Sequence, residues 1–230
     1  MPGKEWGIPK QRLNKKQVLL VFARAPEVGR VKTRLAKDVG PANALDLYKR
    51  FVLKILAVAG SWAKDQTGAS GSVRREIWVC YTPKDRKICI KNWLGREYVF
   101  LAQSGLDLGD RMARAMAAAF FRGATQVVLV GTDIPDMGCA HLEAAFKALE
   151  QTDLVWGPSL DGGYWLVGAR TPDRLAEVFK DVPWGTDQVL SMTYRRCDAA
   201  GLSRTSISPL QDVDTFQDLK STRFYRTEKG

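Results

Sequence analysis

Short blocks of unbroken apolar residues alternate along this chain with longer segments in which apolar positions recur every three or four residues. Val18-Leu19-Leu20-Val21-Phe22 has no polar gap, which predicts a strand buried on both faces, followed by a loop containing Gly and Pro. From Gly40-Pro41 onward, Leu45, Tyr48, Phe51, Val52, Ile55 and Val58 fall at helical spacing, and Gly60 is expected to stop that helix. Residues 65–75 are small, polar and Gly-containing, so an exposed loop is expected before a strand over 76–81. A short helix over 84–93, a strand over 98–102 and an Ala- and Met-rich helix over 107–121 continue the alternation. Gln126-Val127-Val128-Leu129-Val130 is the clearest strand and runs into Gly131-Thr132-Asp133-Ile134-Pro135, ahead of a helix over 139–150. Then come a strand over 154–156, a turn at Asp161-Gly162-Gly163, a strand over 164–167, helices near 172–180 and 186–196, and a short helix after Asp214. Strands alternating with helices predict a mostly parallel sheet in a three-layer α/β sandwich.

Composition narrows this picture little. With 230 residues, 45% of them hydrophobic and 26% charged, one α/β domain with a sizeable core is the expected organisation, and disorder, collagen and coiled coil are poor fits. No apolar run approaches the roughly 20 residues that cross a bilayer. The six-residue run after Lys16 lacks a signal-peptide core, so the cytoplasm is the expected location. Cys80, Cys89, Cys139 and Cys197 are widely spaced without CxxC, which favours reduced thiols over disulfides or zinc.

The net charge of +10 would suit a nucleic-acid binder if it were spread over the fold. It is not: residues 1–16 carry +4 and residues 220–230 carry +3, leaving +3 for the body. The division expected is therefore a basic segment 1–16, a nucleotide-binding catalytic domain 17–219 and a basic segment 220–230. Solvated tails outrank RNA or DNA binding, because no series of aromatic stacking residues accompanies the charge.

Chemistry is expected where ligands bind in open α/β sheets, beyond the carboxyl ends of the strands. After the first strand comes Ala23-Arg24-Ala25-Pro26-Glu27-Val28-Gly29-Arg30-Val31-Lys32-Thr33-Arg34. Its four cations and one glycine suit a di- or triphosphate, with Lys32 and Arg34 the preferred contacts; a solvated basic loop is the alternative. Neither GxxxxGK[ST] nor GxGxxG is present, so ATPase and dehydrogenase readings lose their main signature. Asp133, straight after the clearest strand, is placed to bind Mg²⁺ or Mn²⁺, the alternative being an ordinary Asp turn. Second carboxylates are available at Asp161, Asp212 and Asp214. The single histidine, His141, is expected to be structural or merely exposed, and Thr186 is a possible N-cap. Trp184, in a loop, can wall a substrate pocket.

FARAPEVGRVKTRL, QSGLDLGDRM, VGTDIPDM, GPSLDGGYWLVG, VPWGTDQVL and DVDTFQDL stand in this order over roughly residues 18–220. The series resembles the bacterial GT-A-like glycosyltransferases of the radical-SAM/selenodomain-associated, or arsenosugar-biosynthesis, type, within the nucleotide-diphospho-sugar transferases. The resemblance implies a Rossmann-like GT-A fold. It also implies phosphate held by Lys32 and Arg34, a nucleotide set that includes Ala23, Arg24, Gly29 and Gln103, and a metal on Asp133 and Asp214, with Asp212 beside them. Asp161, Gly162, Gly163 and Trp184 would face a small-molecule acceptor, and Lys32, Arg34 and Asp161 would be the catalytic residues. Arg24 and Val28 stand where the family more often has Lys and Pro. Asp133-Ile134-Pro135 resembles the DxP of nucleotidyltransferases more than the DxD of metal-dependent glycosyltransferases. Two reactions are therefore expected alternatives: transfer of a sugar from an NDP-sugar, which the family name favours, or nucleotidyl transfer from an NTP with loss of pyrophosphate. A non-catalytic nucleotide- or RNA-binding role stands beside both.

Overall fold

Successive side chains of a strand point to opposite faces, and the first strand, β1 (Lys16–Arg24), sends Leu19, Val21 and Ala23 into one apolar cluster and Val18 and Leu20 into another. The structure, a computed structural model, describes residues 15–65 and 73–229. Residues 1–14 of the basic leading segment and 66–72 of the expected loop lie outside that range. β1 pairs in parallel with β2 (Arg74–Thr82) on one side and β4 (Gln126–Val130) on the other, and β2 pairs in parallel with β3 (Val99–Ala102). Beyond β4 lie β6 (Tyr164–Ala169), β5 (Leu154–Pro158) and a polar edge strand, β7 (Arg204–Ser206), giving the order 3-2-1-4-6-5-7. Only β6 is antiparallel to its neighbours. Its reversal places the β5–β6 turn at the same edge as the loops that follow β1, β3, β4 and β7. Apart from the Trp184 segment, which follows β6, the segments singled out for chemistry therefore emerge on one side of the sheet.

Helices cover both faces. α2 (Pro41–Lys64), α3 (Lys87–Leu94) and α5 (Cys139–Ala148) pack on one, and α4 (Leu108–Phe121), α6 (Leu175–Val178) and α7 (Val189–Ala199) on the other. This is the three-layer, mostly parallel arrangement that the sequence predicts. Several boundaries differ. α2 runs four residues past Gly60, because Trp62 is fully buried and stacks on Phe146 with ring centroids 4.7 Å apart. Packing of that size outweighs the roughly 1 kcal/mol that an interior glycine costs a helix. α7 starts at Val189, so Thr186 is not its N-cap; the Thr186 hydroxyl instead donates to the Pro183 carbonyl (2.8 Å) within the preceding turn. Neither the short α1 (Leu35–Val39) nor β7 has an apolar period that sequence could reveal.

At the end of the chain, α8 (Phe216–Ser221) and α9 (Arg223–Lys229) occupy much of the segment set aside as basic. Phe224 is buried against Phe51 of α2, and the Asp136 carboxylate accepts the backbone N–H groups of Arg223 (2.9 Å) and Phe224 (3.0 Å). Asp136, in the loop after β4, thus caps α9 and is spent structurally. Lys16 likewise belongs to β1, and Lys15 pairs with Glu150 at 2.6 Å.

Asp153 ties β5, β6 and β7 together. Its carboxylate accepts from the Ser203 hydroxyl (2.6 Å), the Ser203 N–H (2.9 Å) and Arg170 (2.9 Å). The Ser203 hydroxyl foremost, then its N–H and Arg170, holds this carboxyl below the usual range. A lowered folded-state value stabilises above the ordinary carboxylate pKa of about 4 and is lost as pH falls through it. Asp153→Asn should therefore cost about 2 kcal/mol at pH 7, with the gap from wild type closing in melts at progressively lower pH below 4. A gap that stays constant with pH would show that ionisation of Asp153 is not what holds this edge.

Candidate nucleotide site

At that shared edge the loops enclose a cleft of about 590 Å³. The loop after β1 enters it by a sharp turn: Gly29 takes φ +72°, and Lys32 itself is left-handed at φ 48°. For a side chain with a Cβ this conformation costs on the order of 1 kcal/mol, and here it carries the Lys32 amine inward. Its side chain is only 4% exposed. The ammonium donates to the Val213 carbonyl (2.5 Å) and lies 2.8 Å from Asp133 Oδ2 and 3.3 Å from Asp214 Oδ1. Arg34, which is largely exposed, reaches Asp214 Oδ2 at 2.9 Å. The Val213 N–H donates to the Asp133 carbonyl (2.9 Å), which fixes the last loop beside β4. Cations chosen for phosphate and acids chosen for metal thus meet at one centre.

The other candidates lie around it. Ala23, Arg24, Gln103, Asp161, Gly163, Trp184 and Asp212 all line the cleft with Lys32, Arg34, Asp133 and Asp214. The Gln103 amide donates to the Cys80 carbonyl (2.8 Å), leaving its own oxygen available. Asp161 Oδ1 accepts from the Ser159 hydroxyl (2.7 Å) and the Gly163 N–H (2.9 Å), which orders the β5–β6 turn. Burial, and after it the neighbouring charges of Asp161 and Asp214, raises the Asp212 carboxyl to about 6. Gly29 and Gly162 do not line the cleft. Gly29 serves the turn, and Gly162 (φ +87°) lies so close to the Asp187 backbone that a Cβ would collide with it. His141 accepts the Gly138 N–H at 3.0 Å and starts α5, a structural role.

Sequence reasoning missed two contributors, Tyr48 and Arg111, and named Arg30 only among the four cations of the basic loop. Tyr48, read as helix core, exchanges hydrogen bonds with the Arg24 backbone (2.7 and 2.8 Å) and steadies the start of the basic loop. Arg30 and Arg111 line the cleft and, like Arg24, have no carboxylate partner among the described residues. An excess of cations in this half of the cleft suits an anionic ligand.

For a divalent ion the donor set is two carboxylates. Asp133 and Asp214, 45% and 41% exposed, converge on the position of the Lys32 ammonium. No group of three or more His, Cys, Asp or Glu is arranged for a metal among the described residues. Mg²⁺ is commonly held by one or two carboxylates with water and substrate phosphates completing the shell, so these residues fit such an ion once phosphate is present.

A mostly parallel sheet with one reversed strand and a cleft over its carboxyl edge matches the fold of nucleotide-diphospho-sugar transferases and their relatives. The chain belongs to the family described as "Uncharacterized protein conserved in bacteria (DUF2064)", whose model matches residues 66–186. It is similar to the crystal structure of a candidate nucleotide-diphospho-sugar transferase from Desulfovibrio desulfuricans G20. The two share 37% identity with a TM-score of 0.81, over 93% of this chain and 88% of that one. More distant likenesses show the fold alone. One is CMP:2-keto-3-deoxy-manno-octonic acid synthetase, in complex with CTP (13% identity, TM-score 0.56, covering 94% of this chain and 100% of that one). Another is a nucleotidyl transferase from Methanothermobacter thermautotroptrophicus (14%, 0.57, covering 94% and 100%). No curated protein sequence matches the chain. No helix among the described residues is long and apolar enough to cross a membrane.

Proposed function

We propose that this protein is a nucleotide-dependent transferase that binds a nucleoside diphosphate-sugar in the cleft and passes the sugar to a small acceptor. The observation that carries this reading is the Lys32 centre, a buried ammonium and an exposed guanidinium held on carboxylates at the mouth of an anion-binding loop. When a diphosphate enters, Lys32 and Arg34 exchange Asp214 for phosphate oxygens and offset the charge that develops on the leaving diphosphate. Arg24 and Arg30 extend the same positive wall. Asp133 and Asp214 would hold Mg²⁺ or Mn²⁺, which supplies further positive charge to the diphosphate. Asp161, held by Ser159 and Gly163, lines the acceptor side with Trp184.

Nucleotidyl transfer is the second reading, and one observation favours it. Pro135 stands two residues after Asp133 and Asp136 caps α9, so the end of β4 turns a single carboxylate toward the cleft instead of a pair. In that reaction an acceptor phosphate would attack the α-phosphorus of an NTP, and pyrophosphate would leave along the same cations.

A thermal-shift panel of NTPs, nucleoside diphosphates and NDP-sugars, with and without Mn²⁺, tests both. A ligand at a hundred times its Kd adds about 2.7 kcal/mol, several degrees for a chain of this length. Asp133→Asn should abolish the part of the shift that depends on Mn²⁺ and keep the part that does not. Release of a nucleoside diphosphate from the stabilising donor would identify sugar transfer, and release of pyrophosphate would identify nucleotidyl transfer. Silence across the whole panel would overturn the nucleotide reading.

A further inference from the structure

Arg111 belongs to α4, not to the basic loop, and the structure takes trouble to place it. Gly105, at φ +145°, lets the loop after β3 lie flat on the start of α4; a Cβ there would stand 2.7 Å from the Arg111 nitrogen. The Gly105 carbonyl accepts Arg111 Nε at 3.4 Å. Nearby acids are committed elsewhere. Asp107 caps the Asp110 N–H at 2.8 Å, while Asp110 accepts the Leu106 N–H (3.1 Å) and pairs with Arg114 (2.6 Å). Among the described residues neither terminal amino group of Arg111, a half-buried residue at the wall of the cleft, has a protein partner. Those groups face the open cleft and are free for a ligand, and the fork of a guanidinium matches a carboxylate or a phosphate with two parallel bonds.

Its neighbour indicates which substrate. The Trp184 ring packs against Gly109, two residues from Arg111, where a Cβ would stand 2.6 Å from Trp184 Cζ2. The first turn of α4 thus packs on Trp184, and Arg111 and Trp184 both line the cleft, on different elements from the Lys32 centre. We propose that Arg111 holds an anionic group of the second substrate, a carboxylate or a phosphate, separate from the donor diphosphate. The acceptor is then a small organic acid or phosphate ester. This inference rests on the transferase reading given above.

Anion soaks into crystals of the full chain test it. Selenate, a tetrahedral dianion with an anomalous signal, should give one peak at Lys32 and Arg34 and a second within hydrogen-bond distance of Arg111. Malonate marks the carboxylate arm at the same position, and whichever of the two binds Arg111 names the group. Arg111→Gln should lose the second peak, keep the first and melt at the wild-type temperature. Absence of both anions from Arg111, or a second peak that survives in Arg111→Gln, would overturn the proposal. So would a soaked nucleoside diphosphate that lays its base over Arg111. A peak at Arg111 with none at Lys32 would instead count against the nucleotide reading and leave the second anion site standing.

Discussion

Lys32→Ala is expected to weaken binding of a nucleoside diphosphate by one to two orders of magnitude in isothermal titration. The Lys32 amine is nearly inaccessible, already aimed at the cleft and held by three oxygens. A phosphate that takes over those bonds gains contacts to a charged donor, worth about 1.5–3 kcal/mol. The cost to stability is smaller. Removing the ammonium leaves Asp133 and Asp214 facing each other, but both are nearly half exposed, so water screens the repulsion and about 1 kcal/mol is expected. Lys32→Gly separates the two effects: it relieves the left-handed strain at φ 48° and should fold at least as well as the alanine variant while binding equally poorly. Arg34→Ala, at a largely exposed position, should cost only about tenfold. Wild-type affinity in Lys32→Ala would remove the centre on which the functional reading stands.

The largest loss of stability at the site is expected for Gly162→Ala, which changes no charge. Gly162 sits at φ +87° with the Asp187 backbone against it, and its carbonyl accepts the Leu190 N–H (3.0 Å) at the start of α7. A methyl group there meets both left-handed strain and main-chain atoms that cannot turn aside as a side chain would. Strain and overpacking together cost about 2–4 kcal/mol, or roughly 5–15 °C in melting temperature at this size. Gly29→Ala is the control. Its φ is similarly positive but open space surrounds it, so only about 1 kcal/mol is expected. If both variants melt alike, the close approach to Asp187 is not a constraint on the fold.

Much of the architecture was legible because burial leaves a trace in residue order. β1 and β4 are covered on both faces and read as unbroken apolar runs, and α2 and α4 show their single apolar faces. What escaped had no such trace. β7 is three polar residues at a sheet edge, chosen by its neighbour β5 and not by its own sequence. α9 reads as a charged tail because a single buried phenylalanine and a cap supplied by Asp136 hold it down. At the site, residue types pointed to phosphate and metal separately. That Lys32 and Asp214 touch could not be read from a pattern, since no local periodicity links them. Arg111 was hidden in a helix whose Met and Ala positions announce only a core.

The contact between Lys32 and Asp214 spans 182 positions of chain. Made in the order of translation, the protein has its basic loop and the β4 carboxylate long before the segment that completes the centre is synthesised. Closing so long a loop has a high entropic cost, and helices and sequential strand pairs form ahead of it. A chain released early would therefore carry a basic loop braced by Tyr48 and Asp133 but lacking Val213 and Asp214. Assembly of this centre reports that synthesis has passed Asp214.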